Sequence, residues 1–398
     1  MPTQLTSGSI RVEVANGPVS PAVSGQSEDS LSNLISAALA APLGLPELHR
    51  CIIPGDRVVL VVDPQTPALP KLLASLHEEL LRVPEPGLSL GLLLPPDPQD
   101  NHWTSVRDEL PLHLRESASF VCHDPGDLAG NSYIASTEDG QRIYLDNEIA
   151  EADLLITVGT ICFDQYLGIR GTTSGIFPAM ADKDTLERTG LLETRPAIGK
   201  KRTARRALVD EVGWLVGAQF SLQIVPAPSG PGTVLAGAPK DVMDAAEPLL
   251  NQWWQIQLRE QPEVIVTSIP AGRWGWAAMC QSIAAFNDVL ESDSRIIVVA
   301  DLDEPTGPAA QALRSCDDSL ELARRLRKET VVDGVEIGQL IDATNEHRVY
   351  LVSSLNAELV EDLGMLPVAD QQELNRLLKT ATEYVVIPDA CYARLSVG

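Results

Sequence analysis

The sequence is poor in the side chains from which metal and cofactor chemistry is built. It has six histidines in 398 residues and none between His123 and His347. No lysine stands between Lys71 and Lys183. Its six cysteines (51, 122, 162, 280, 316 and 391) form no CxxC pair, which excludes a zinc knuckle or a thioredoxin-type redox motif and suits reduced thiols in the cytoplasm. No run reaches the 18 apolar residues of a membrane span. The opening "MPTQLTSGSIRVEVANG" lacks a basic region followed by an apolar one, so secretion is not expected. Positive charge is scarce as well. With 30 Lys and Arg against 55 Asp and Glu the formal charge is −25, and nucleic acid or anionic lipid would be repelled. An anionic ligand would therefore need a local basic pocket. The one basic concentration, "GKKRTARR" at 199–206, could supply it, or could be a solvated helix start or an interdomain contact.

What is present is globular. Apolar residues make up 44% and charged residues 21%, and the length calls for two domains. Strand-like runs at 56–63, 88–96, 118–124 and 152–161 alternate with helical stretches such as "PALPKLLASLHEELLRV" and "WTSVRDELPLHLRE", while "QRIYLDN" reads as an edge strand behind a turn. One more strand is expected at 10–15. The Pro- and Gly-rich run "VPAPSGPGTVLAGAP" marks a boundary, giving domains 1–235 and 236–398. Beyond it "PKDVMDAAEPLLNQWWQIQL" and "WAAMCQSIAAFNDVL" are helical. Strands follow at 263–270, 295–302, 349–355 and 383–390. The expected fold class is α/β, with mainly parallel sheets flanked by helices. Trp253, Trp254, Trp274 and Trp276 could serve a protein contact or fill a core or a domain interface.

The stretch "GTICFDQYLGIRGTTSGIFPAMAD" (159–182) follows a central strand and carries glycines at 168, 171 and 175. Open α/β sheets bind ligands in such places. The glycines could admit backbone N–H groups to an anion, with Arg170 adding charge, or could only permit a tight turn. Asp164 and Arg170 could pair with each other, which would spoil the acid as a base at neutral pH.

Almost the whole chain resembles the lactate racemase (LarA-like) family. The segments that carry the likeness are "LSNLISAALAAPLGLPELHRCIIPGDRVVLVVDPQTPALPKLL", "DLAGNSYIASTEDGQRIYLDNEIAEADLLITVGTI" and "PEVIVTSIPAGRWGWAAMCQSIAAFNDVLESDSRIIVVADLDEPTG". The resemblance implies two α/β domains with a ligand cleft at their interface. It also implies racemisation of lactate or related 2-hydroxy acids by a nickel-pincer nucleotide tethered to a lysine, with histidines as acid, base and nickel ligand. Imidazole suits those roles because it titrates near neutrality and binds nickel.

On the family's loop pattern, G-x-I-x-P-H-x-x-A-G-x-S-G-G-x-K-x-x-x-P-G, this chain keeps Gly159, Ile161, Gly168, Gly171 and Pro178. Asp164 stands at the histidine, Arg170 at the serine, Thr172 at the second glycine and Ser174 at the tether lysine. Lys183 lies nine residues past the tether position, too far to replace it without remodelling the loop. In the family's D-x-T-R-P motif Asp63 and Pro67 remain, but Thr66 replaces the arginine and removes a bidentate donor. His102 is a loose counterpart of the first catalytic histidine, or a surface residue at a helix start. Gln281 matches a family glutamine, with Ala284 at the following lysine.

Three readings follow. The chain could be a catalytically silent relative that keeps a small-molecule cleft. It could instead be a racemase, epimerase or other enzyme on a 2-hydroxy acid whose altered site uses Asp164, Arg170 and Ser174, or a non-catalytic regulatory partner. The weak catalytic candidates are Asp164 and His102. The ligand-binding candidates are Asp63, Thr66, Gly168, Arg170, Gly171, Thr172, Ser174 and Gln281. No metal ligand is expected, no cofactor beyond a non-covalently held nickel-pincer nucleotide, and the partner would be a small anionic molecule or a nucleotide, with a protein partner or homo-oligomer left open.

Overall fold

The computed structural model describes residues 3–14, 30–84, 87–97, 102–189, 203–228, 232–270, 275–287 and 289–398. Two parallel sheets organise them. The first has six strands in the spatial order Thr233–Gly237, Phe220–Val225, Leu154–Thr160, Arg57–Val62, Ser89–Leu94 and Ala118–Cys122, antiparallel only at its first pair. The second has five parallel strands in the order Leu366–Pro367, Arg348–Val352, Arg295–Val299, Val264–Ser268 and Tyr384–Val386.

Both central strands are apolar runs because both their faces are covered. Val58, Leu60 and Val62 point into a core shared with helices Leu31–Ala40 and Leu69–Leu80. Val59 and Val61 point the other way, toward Val209 and Val212 of helix Ala204–Val216. The second sheet packs helices Gly275–Phe286 and Gly334–Glu346 on one face. On its other face lie helix Gln371–Lys379 and an N-terminal hairpin, Thr3–Ser7 with Ile10–Val14. This hairpin contains the strand expected at 10–15, but its first strand was not read from the sequence.

Strand order explains where the ligand space lies. The first sheet starts at Arg57–Val62 and adds strands on one side, then on the other beginning with Leu154–Thr160. The second starts at Val264–Ser268 and ends with Tyr384–Val386 on its opposite flank. Loops leaving the carboxyl ends of such neighbouring strands diverge and open a crevice. Here the crevices of both sheets meet.

Several expectations need correction. "QRIYLDN" is not an edge of the main sheet. Its strand Arg142–Asp146 pairs only with Asn131–Ser136 in a separate hairpin. The single helix expected over 103–116 is two, His102–Glu109 and Leu112–Ser117, broken at Pro111, which has no N–H to donate and takes the second N-cap. Within the Pro- and Gly-rich run, Thr233–Gly237 is a strand, and the tail "QIQL" of the next helical stretch is a strand paired with Arg394–Val397. Among the described residues no helix is long and apolar enough to cross a membrane.

Candidate functional site

The 159–182 stretch folds as a short hairpin followed by a tight turn. Strands Cys162–Asp164 and Gly168–Arg170 pair antiparallel. The Asp164 carboxylate closes the hairpin by accepting the N–H groups of Tyr166 at 2.8 Å and Leu167 at 2.7 Å through Oδ1. Cys162, Phe163 and Ile169 are buried against the second domain's core, so the hairpin is itself part of the domain interface. The Tyr166 hydroxyl accepts a hydrogen bond from Gln339 of helix Gly334–Glu346.

The expected pairing of Asp164 with Arg170 does not occur. Arg170 Nη1 donates to Gln65 Oε1 at 2.6 Å and Nε to Cys162 Sγ at 2.9 Å. Asp164 is occupied at the hairpin end, and the guanidinium extends instead toward the turn that follows Asp63. Burial pushes the Cys162 thiol up to about 11, so it meets the guanidinium as a neutral group. Thr66, at the family's arginine position, is buried and donates its hydroxyl to the Asp63 carbonyl at 2.6 Å. Among the described residues the only guanidinium beside this turn thus comes from the other loop.

The glycine turn uses its backbone internally. The Gly171 N–H donates to Ser174 Oγ at 2.8 Å and the Thr172 N–H to Gln223 Oε1 at 3.2 Å. Gly168 at φ 83° and Gly171 at φ 118° supply conformations that a side chain resists. At Gly171 a Cβ would also lie 2.5 Å from Ile161 Cγ1 and 3.0 Å from Ile161 Cα. These two glycines therefore serve the turn, and the N–H groups of Gly171 and Thr172 are not offered to a ligand. Behind the turn sits the last residue of the basic stretch. Arg206 is 3% exposed and donates to the carbonyls of Ile169 and Gly171, the hydroxyls of Thr172 and Thr173, and Asp210. It is a structural stitch rather than part of a solvated patch. Residues 199–202 lie outside the described residues.

Two adjoining cavities fill the crevice, and Gln65 and Arg170 line both. The smaller, about 330 Å³, is bounded by Asp63, Asp164, Ser174, Gln223 and Glu336 among others. The larger, about 550 Å³, runs between the turn at Thr66 and the second domain's Gln281, Asp301 and Tyr392. The sequence candidates thus divide. Asp63, Asp164, Gly171, Thr172 and Ser174 border the smaller cavity, and Thr66 and Gln281 the larger, while Gly168 borders neither. His102 opens helix His102–Glu109, and its side chain lies outside the described residues.

Sequence reasoning missed four residues here. Gln65 and Gln223 hold the guanidinium and the turn. Gln223 did leave a signal, as the one amide in the buried strand "FSLQIV". Tyr166 and Glu336 left none, because an acid in the first turn of a helix reads as complementing the helix dipole. Glu336 nonetheless faces the smaller cavity. Burial pushes its carboxyl up to about 7, opposed by its own backbone N–H and aided by Asp333. Trp253 and Trp254 are buried, the latter donating to the Pro226 carbonyl at 2.7 Å, and Trp276 donates to the Asp303 carbonyl at 2.9 Å. Trp274 lies outside the described residues.

Among the described residues no histidine or lysine lines either cavity. His123 is buried elsewhere, between Asp146 at 2.9 Å and the Ala181 carbonyl at 3.0 Å. No group of three or more His, Cys, Asp or Glu residues is arranged to hold a metal ion among the described residues.

Fold and crevice define a two-domain α/β protein with two adjoining cavities where the switch points of its sheets converge. Residues 7–192 match the lactate racemase N-terminal domain model, and this region carries the likeness to the LarA-like family. The lactate racemase apoprotein from Thermoanaerobacterium thermosaccharolyticum superposes over 100% of both chains with a TM-score of 0.77 at 17% identity. A protein from Thermotoga maritima does so over 92% of this chain and 98% of its own, with a TM-score of 0.68 at 12% identity. No curated protein matches the sequence.

Proposed function

We propose that this LarA-like protein binds a small molecule bearing a carboxylate or similar anionic group in the interdomain crevice and does not racemise lactate through a nickel-pincer nucleotide. The observation that carries this reading is Ser174. It stands at the position of the family's tether lysine, and its hydroxyl is taken up by the Gly171 N–H. A hydroxyl held as a turn cap cannot replace an amine that forms a covalent link to a cofactor. The described residues do not fit the group in other respects, since none of them brings an imidazole to either cavity. A set of groups that act together loses most of its rate when any one is removed. Arg170 supports the binding half of the reading. Its Nη2 has no acceptor among the described residues, and the side chain is half-buried. The free cysteines suit action in the cytoplasm.

The test is metal and intact-mass analysis of protein made in cells that synthesise the nickel nucleotide, with a lactate-enantiomer assay on the same sample. The expected result is a mass equal to that of the bare chain, no stoichiometric nickel and no interconversion. Racemisation together with bound nickel would overturn the reading.

A further inference from the structure

The smaller cavity has a charge pattern that a simple anion does not match. Among the described residues Arg170 is the only cation lining it, whereas Asp63, Asp164 and Glu336 bring carboxyl groups from three separate elements. Asp63 and Asp164 each use Oδ1 for backbone N–H groups, and no donor among the described residues reaches either Oδ2. Neither Oδ2, nor Arg170 Nη2, is a buried atom lacking a partner, so each has access to open space. A lone carboxylate on Arg170 would sit among these acids without relieving them. Opposite charges in contact at a partly wet site attract, and like charges repel as strongly. A ligand with one positive and one negative end answers both parts of the wall.

We propose that this cavity is a site for a small α-amino acid, its carboxylate on Arg170 Nη2 and its ammonium on the free oxygens of Asp63 and Asp164. This rests on the crevice being a carboxylate site and names the ligand class. About 330 Å³ is at the small end of ligand pockets, and Leu167, Pro178, Ala179 and Val332 leave apolar wall for a short side chain. An α-hydroxy acid of the same shape keeps the carboxylate contact but offers a neutral hydroxyl where the site presents two carboxylates.

Isothermal titration at pH 7.5 with glycine and both alanine enantiomers, against glycolate and both lactate enantiomers, tests this directly. At least one amino acid is expected to bind tenfold or more tightly than its hydroxy counterpart. Asp63→Asn and Asp164→Asn keep an oxygen for the backbone N–H groups, so the turns survive. Each should weaken alanine at least fivefold and leave lactate unchanged or improved, while Arg170→Gln should abolish both. Lactate binding as tightly as alanine, or Asn variants that weaken both ligands alike, would overturn the proposal and leave the carboxylate reading standing. Absence of binding by any of the six probes would overturn both.

Discussion

At the scale of single residues, the crevice depends on side chains spent on shaping one turn. Arg206 is the strongest case, because one buried guanidinium donates to two carbonyls and two hydroxyls of the turn. Arg206→Ala is expected to cost roughly 3 kcal/mol in urea unfolding, the scale of a lost buried charged network. Arg206→Lys keeps the charge but loses the planar fork, and about half that cost is expected. Equal stability of all three proteins would show that the turn holds without the stitch. Gly171 makes the complementary case through space rather than bonding. At φ 118° and ψ 173° its backbone is in a region essentially reserved for glycine, and a Cβ would meet the backbone of Ile161. Gly171→Ala should destabilise by about 3 kcal/mol or more, read as a lowered urea midpoint at unchanged slope. A midpoint within error of the parent would contradict that geometry.

At the scale of elements, the hairpin Cys162–Arg170 joins the site to the second domain. Asp164 closes it with two charge-assisted hydrogen bonds. Asp164→Ala should therefore cost about 2 kcal/mol, whereas Asp164→Asn, which can still accept, should cost less than about 1. Equal losses would mean that the carboxylate's charge, not its oxygen, holds the hairpin. Legibility follows from whether a signal is local. Strands Arg57–Val62, Leu154–Thr160 and Arg295–Val299 were readable because full burial forces a short β-branched run with breakers at its ends. The glycine spacing likewise announced a special turn. The hairpin within that turn was not readable, since its strands are three residues long and their burial comes from the other domain. The partner of Arg170 was hidden for the same reason. An acid six residues away looked like the natural mate, but the chain delivers Gln65, 105 residues distant, to the guanidinium.

At the scale of the whole molecule, the site is an intersection of two switch points, and its electrostatics belong to neither domain alone. Glu336 comes from the second domain and Arg170 from the first, which is why composition and spacing revealed one and not the other. That arrangement leaves a measurable trace in stability. Burial pushes Glu336 up to about 7, and burial also pushes Asp389 up to about 6 against the favourable hydrogen bond from Ser268. Both values lie above those of the unfolded chain, so between the unfolded and folded values the native state holds more protons than the unfolded one. Stability from these two groups is therefore greatest below about pH 4 and declines as pH rises through about 6 for Asp389 and about 7 for Glu336. The surplus of acidic residues over basic ones adds repulsion in the same direction as carboxylates ionise. Replacing both acids by neutral isosteres separates the local effect from the global one, because removing two charges out of a net −25 hardly alters the total. Asn at position 389 also tolerates the left-handed backbone found there, at φ 52°. The Glu336→Gln, Asp389→Asn protein should melt close to the parent at pH 4.5 and several degrees above it at pH 8, so that the gap opens between those values. A melting difference that is constant from pH 4.5 to pH 8 would mean that neither carboxyl is held protonated by the fold, and that the acid wall of the smaller cavity is fully charged at neutral pH.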